Sequence, residues 1–340
     1  MKLGFLTEPS SNGYYRAVIP MRALEQRGHT ILWQEPLGVD LPLKQLLGCD
    51  LVHCYRRMDR FDTLRALSER GVAVSFDNDD DFSAAEVGAA GERLDLAAHR
   101  KNRERFREVF RSARLADLTT TTTAPLAEQY RAAGAAEVAV IENRLERGMP
   151  GFGSRSRSPG VLVGWIAGRE HGMDLERVPI VDAFQRLLAA HPELQLLTIG
   201  VKLPLRSDRY EHIAEIKYRD ILKTLARIDI GVAPLADTRF NRSRSNVKLK
   251  EYASATAAWL ASPVGPYLDM GERQGGLLVD DGGWYEAIDE LLRNPRKRRR
   301  LAKRALRWAK QQTIDHHAEE WERAFESAIA HAAGRSSRAA

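Results

Sequence analysis

The stretch from Ile228 to Ser262 constrains the fold of this chain more than any other. Ile228–Pro234 (IDIGVAP) is an apolar run of strand length. A polar loop rich in Arg, Asn and Ser follows, then a short amphipathic segment, Val247–Ala253, and a second apolar run, Ala258–Ala261 (AWLA). Strand, loop, helix and strand make a βαβ unit, which belongs to a parallel sheet. In such sheets ligands bind outside the carboxyl ends of the strands. A helix that starts near Val247 turns its free amides toward that edge, a place suited to an anion. Ser243, Ser245 and Asn246 fit there as cap or as extra donors. Lys248 sits just inside the helix, and Glu251, three residues on, shares its face. A cation and a carboxylate above such a helix end fit a sugar nucleotide. Lys248 would meet the pyrophosphate, and Glu251 would accept from the ribose hydroxyls. The same residues also read as a surface i, i+3 pair, and spacing alone leaves both readings open.

The alternation runs through the whole chain. Strands are predicted at Lys2–Thr7, His29–Trp33, Leu51–Cys54, Val72–Phe76, Asp117–Thr122 and Val138–Ile141, with helical patterns between them. Arg144–Pro159 carries Gly, Pro, Ser and Arg without an apolar period and reads as a linker. The pattern then starts again at Val161–Ile166 and Leu194–Gly200. This is an α/β chain with two Rossmann-like halves. The first loop has no GxGxxG, so it is no dinucleotide fingerprint.

Two loops carry further candidates. Ala167–Asp174 (AGREHGMD) follows the first strand of the second half, where phosphate is held in such units. Arg169 is a planar cation suited to phosphate oxygens, and His171 can bond phosphate or sugar. Asp174 reads as a helix N-cap. In the first half, Asp77–Phe82 (DNDDDF) gathers carboxylates at a strand end. It reads as a hard-metal site, as the Asp-x-Asp motif of the GT-A fold, or as a capping and acceptor-contact cluster. The repeated βα set in the second half argues against GT-A.

FNRSRSNVKLKEYASATAAWLAS followed by VGPY resembles the donor-site segment of glycosyltransferase family 4. The family pattern has two glutamates seven residues apart. Glu251 matches the second, and Arg244 stands at the first. GYYRAVIPMRALEQRGH and GWIAGREHGMD are similar to the first loop of that family and to its second-domain opening loop. The resemblance implies a GT-B fold, with two Rossmann-like domains facing a central cleft and a C-terminal helix crossing back. The implied division is a first, acceptor domain over 1–145, a linker over 146–159 and a sugar-nucleotide domain over 160–313. The crossing helix takes 314–333, and 334–340 is a disordered tail. The resemblance also implies transfer of a sugar from a UDP- or GDP-sugar to an unidentified acceptor, with retention and with neither cofactor nor metal. Arg169, Lys248 and Glu251 would carry the chemistry. Gly13, Tyr15, Arg16, His171, Ser245, Asn246 and Val247 would bind substrate. The rival is a noncatalytic GT-B protein that binds a nucleotide or glycan.

The chain has 340 residues, 44% of them apolar, and two cysteines, too few for a disulfide scaffold or a cysteine zinc site. No membrane span or signal peptide is read, so a cytoplasmic protein is expected. The net charge of +6 invites an anionic partner. Much of it lies in one helix, Arg296–Lys310, with Arg296–Arg300 reading RKRRR. That helix is either a solvated face or a peripheral contact with an anionic membrane or polymer. No nucleic-acid-binding motif accompanies it.

Overall fold

The computed structural model describes the chain except Pro9, Leu37, residues 87–91, 157–159 and 340. The side chains of Ser11, Arg169, Arg219 and residues 336–339 are also outside the description.

Two six-stranded parallel sheets carry the fold. The first holds β1 (Lys2–Thr7), β2 (Thr30–Leu32), β3 (Leu51–Tyr55), β4 (Ala73–Asp77), β5 (Leu118–Thr121) and β6 (Val138–Val140). Its order is β2-β1-β3-β4-β5-β6. The second holds β7 (Val161–Ala167), β8 (Leu194–Gly200), β9 (Tyr210–Ile213), β10 (Ile230–Ala233), β11 (Ala258–Ala261) and β12 (Gly276–Leu278). Its order is β12-β11-β10-β7-β8-β9. β3, β4, β7, β10 and β11 are buried along their length, as expected of parallel strands covered by helices on both faces. Even β5, with three threonines, is fully buried; Thr121 Oγ1 donates to the Asn78 carbonyl at 2.8 Å, so its polar atom is satisfied. The strand order reverses between β1 and β3 in one sheet and between β7 and β10 in the other. Those switch points open crevices at the strands' carboxyl ends.

The central helix, Val247–Ser254, is docked on the second sheet by Tyr252. Its hydroxyl donates to the Val232 carbonyl and accepts from the Ile166 amide, each at 2.8 Å. A Cβ on Gly231 would lie 2.4 Å from the Tyr252 ring. Glycine in β10 is therefore what lets the helix approach the strand closely.

Several expectations are corrected. The first loop is shorter than its glycine and serines suggest. Helix begins at Ser11, passes through a π-helical turn at Tyr14–Val18 and continues as Ile19–Gln26. After β7 the helix expected to start at Asp174 is two helices, Gly172–Arg177 and Ile180–Ala190, with Pro179 between them. The final helix spans Ala318–Ala339, so the polar tail expected to be disordered continues it. Arg335 ties that end down by pairing with Asp117 at 3.0 Å.

The chain crosses between sheets at two places, and the crossings meet. Leu145 and Thr313 form an isolated parallel bridge, with Leu145 N donating to Gln312 O and Ile314 N donating to Leu145 O. The final helix then packs on the first sheet. Trp321 and Phe325 are buried there against His53, and Phe5 meets Phe325.

Candidate functional site

The β7 and β10 loops and the central helix converge at the second switch point. Asp174 is the pivot. Its Oδ1 accepts from Ala236 N and from Asn241 Nδ2, both at 2.8 Å, and its Oδ2 lies 2.5 Å from His171 Nδ1. Asp174 thus pins the β10 loop to the β7 loop and makes no N-cap. Its pKa is lowered, because the bonds from His171, Ala236 and Asn241 outweigh the burial that opposes its charge. His171 Nδ1–H donates to this carboxylate, and Nε2 accepts from Lys248 Nζ at 3.1 Å. Burial, then Lys248 and Arg244, lower the His171 pKa, so the ring is neutral and suited to that role. His171 was expected to touch ligand. Both its nitrogens have partners inside the protein, Asp174 on Nδ1 and Lys248 on Nε2.

Lys248 is half-buried and its pKa falls to about 8, through burial first and the charge of Arg244 second. Arg244 donates to Glu170 Oε1 at 3.1 Å. Burial opposes the charge of Glu170, but Arg244, His171 and Lys248 outweigh it and hold the carboxylate at about 2. The Glu170–Arg244 pair was not foreseen. The signal was there, since both residues lie in loops already singled out. Arg169 opens the short turn that ends at His171, and its side chain lies outside the described residues.

Glu251 is buried, and its Oε1 accepts from the Tyr15 hydroxyl of the first domain. Burial raises its pKa to about 7 against the pull of Tyr15 and Lys248. Tyr15 also meets the Tyr218 ring edge-on at 5.1 Å between centroids. Gly13 is buried under the end of β1, where a Cβ would stand 2.8 Å from the Glu8 carbonyl. Ser245 Oγ accepts from Asn143 Nδ2 at 3.2 Å, again across the domains. Asn246 precedes the central helix without a side-chain cap bond, and Val247 is its first residue. The first amides of that helix therefore remain available to an anion. Lys250 takes the opposite direction and is buried, donating to Glu142 at 2.7 Å and to the Asn143 carbonyl at 2.8 Å.

Arg16 is a correction. It is completely buried, with Asp77 bonded to Nε and Nη2, the Ile141 carbonyl and Asn143 on Nη1, and Trp321 beneath its guanidinium at 4.9 Å. No face of it is left for a substrate. The acidic run is likewise spent inside the protein. Arg56 reaches Asp79 at 2.6 Å and Asp80 at 2.5 Å. Asp81 accepts from Ser83 N and from Arg239 of the second domain. Burial lifts Asp79 to about 6 even so.

A cleft of about 610 Å³ lies between the domains. Thr123, Glu142, Arg242, Asn246 and Gly265 are among its walls. It reaches the start of the central helix at Asn246, while Glu170 lines a separate small recess with Asp174 and Asn241.

Comparison with known proteins agrees with the two-sheet fold. Residues 177–323 match the glycosyl transferase-like family model. No curated protein matches the chain in sequence. Among solved structures, sucrose-phosphate synthase from Thermosynechococcus elongatus is 14% identical, with a TM-score of 0.65 over 97% of this chain and 100% of that one. Anabaena HepE in complex with UDP-glucose is 15% identical, with a TM-score of 0.64 over 94% of this chain and 98% of that one. The chain has the GT-B fold, and it resembles the glycosyltransferases built on it.

Proposed function

We propose that this protein is a glycosyltransferase that moves a sugar from a nucleoside diphosphate sugar to an acceptor bound by the first domain. The observation that carries the reading is the uncapped central helix with Lys248 and Arg244 beside its first turn, at the second switch point. The glycosyl transferase-like match over this domain supports it. UDP-sugar is the favoured donor, since HepE holds UDP-glucose on a similar fold.

As the glycosidic bond breaks, negative charge grows on the departing diphosphate. Lys248, Arg244 and the helix amides would stabilise it, with His171 keeping Lys248 aimed. Arg169, in the same turn, would add a second guanidinium. Glu251 would accept from the ribose, sharing its carboxylate with Tyr15 or releasing it. Ser245, Asn246 and Val247 would offer the helix end. Glu170 must yield Arg244 to the incoming diphosphate. Because Tyr15–Glu251 and Asn143–Ser245 span the domains, donor entry calls for the domains to part, and their return would exclude water. Transfer with retention and without metal fits this set of cations. No residue is assigned as a general base.

A second reading, a noncatalytic nucleotide- or glycan-binding GT-B protein, is favoured by one feature: Glu170 already neutralises Arg244. A panel of UDP- and GDP-sugars, assayed for hydrolysis and for transfer with and without EDTA, separates the readings. Turnover of one donor that survives the chelator is expected. Donor binding without turnover would favour the second reading, and loss restored by Mn²⁺ would overturn the metal-free mechanism.

A further inference from the structure

The helix Pro295–Gln311 contains no acidic residue. Its nine cations sort into two groups. Three are used by the protein itself. Lys297 pairs with Glu290 at 2.6 Å, and Arg304 pairs with Glu272 at 2.7 Å. Arg298 is buried and donates to the Leu291 carbonyl at 2.6 Å, capping the preceding helix.

The other six, Arg296, Arg299, Arg300, Lys303, Arg307 and Lys310, are exposed. None makes an ion pair among the described residues. At about 100° per residue their spacing confines them to an arc of about 100°, and they extend over about 21 Å of helix. The opposite face, Leu301, Ala302, Ala305 and Ala309, is buried against the second domain. A Cβ on Gly275 would lie 2.3 Å from Ala305 N, so the face opposite the stripe packs directly on backbone.

Like charges at i, i+3 and i, i+4 repel along the whole stripe, and nothing on the helix offsets them. An anionic surface would. We propose that this stripe docks the protein on an anionic lipid bilayer. The cations share one direction and form a straight row, which suits a plane of headgroups. No aromatic residue stands among them to stack a base, which disfavours single-stranded nucleic acid. The proposal is independent of sugar transfer.

The test is cosedimentation of the full chain with phosphatidylcholine vesicles containing about one third phosphatidylglycerol, against pure phosphatidylcholine. Wild type sediments with the anionic vesicles only and is released as salt rises. Arg299→Gln/Arg300→Gln/Lys303→Gln binds on the order of 10- to 100-fold more weakly. Its melting temperature and UDP binding stay unchanged. Lys297→Gln/Arg304→Gln removes two cations of the other group and keeps vesicle binding. Arg299→Lys/Arg300→Lys also keeps it. Should the triple variant misfold, Arg300→Gln/Arg307→Gln, expected to bind more weakly than Lys297→Gln/Arg304→Gln, still decides. No wild-type sedimentation, equal binding to neutral vesicles, equal loss in the triple and double variants, or preference for a 20-mer RNA over vesicles would each overturn the proposal.

Discussion

The two sides of the interdomain junction each carry a cluster of charged residues, and they are built differently. In the first domain Arg16 and Asp77 are both 0% exposed, and the Arg56–Asp79 pair is 7% and 3% exposed. Each arginine there is held by several acceptors. In the second domain Arg244 and Glu170 are 21% and 32% exposed and share one contact. Among the described residues, Lys248 bonds only to a neutral imidazole, and it keeps a lowered pKa. A charge that is saturated and sealed serves the scaffold. A charge that is half-exposed and poorly balanced is ready for a ligand. On this contrast the acidic run Asp77–Asp81 is spent in internal pairs, and the Lys248 cluster is the one proposed to meet a ligand, although both look equally functional in the sequence.

The sharpest way to break this comparison is to remove a charge from each side. Arg16→Met strands a buried carboxylate on Asp77 and is expected to cost roughly 3–5 kcal/mol of stability, read by chemical denaturation. Activity per folded molecule should hold. If Arg16→Met folds normally and loses donor turnover instead, the scaffold assignment fails. Lys248→Ala should do the opposite, lowering kcat/KM on the order of 100-fold and weakening UDP binding, with stability retained or improved. Normal kinetics in that variant would remove Lys248 from the site.

The pH behaviour of the second cluster sharpens the contrast. Glu251 has a folded pKa raised by burial to about 7. Its stabilising contribution is complete below its unfolded value and is lost as pH rises through about 7. Wild type should therefore lose on the order of 1–3 kcal/mol relative to Glu251→Gln between pH 5 and pH 8, measured by denaturation at each pH. A constant difference would mean that Glu251 is not buried in solution. Lys248 runs the other way. Its folded pKa of about 8 lies below the unfolded value, so its contribution is present at high pH and is lost as pH falls through about 8. A bound diphosphate favours the ammonium form, so UDP binding near pH 8.5 should take up a fraction of a proton. Calorimetry in buffers of different ionisation enthalpy reads that uptake, and proton release would contradict it.

The smallest effect is the most specific. Glu170→Gln removes the internal anion that competes for Arg244, so UDP should bind about 3- to 10-fold more tightly. Weaker binding would make Glu170 a ligand contact rather than a competitor.

The fold was largely written in local pattern. Ala258–Ala261 is a strand with the predicted limits, because four buried apolar residues between polar breaks leave few alternatives. Tyr210–Ile213 escaped notice, since YEHI at the edge of the sheet is only partly buried and alternates poorly. The four-residue helix Arg239–Arg242 is too short to show a period. The site was legible in part for a different reason. A helix end after a buried strand can be read from neighbours in sequence, so Lys248 and Glu251 could be placed on that helix. Arg16 was misread because its partners, Asp77, Ile141, Asn143 and Trp321, lie far along the chain. Nothing near an arginine says whether it will face water or a buried carboxylate. The Tyr15–Glu251 bond joins the two domains, and no local pattern announces it.

The return of the final helix to the first sheet has a consequence for how the protein is made. Trp321 and Phe325 complete the packing around Phe5 and His53, and Trp321 lies under Arg16. During synthesis the first sheet emerges well before them, and the whole second sheet is translated in between. The usual order, in which an N-terminal domain folds as it leaves the ribosome, is therefore closed to this one. The second domain has all its strands in one continuous segment and can fold first. The first domain waits with one apolar face uncovered until the last helix arrives. Early termination between Gln311 and the final helix would release a second domain with its core complete, attached to an unfinished first one.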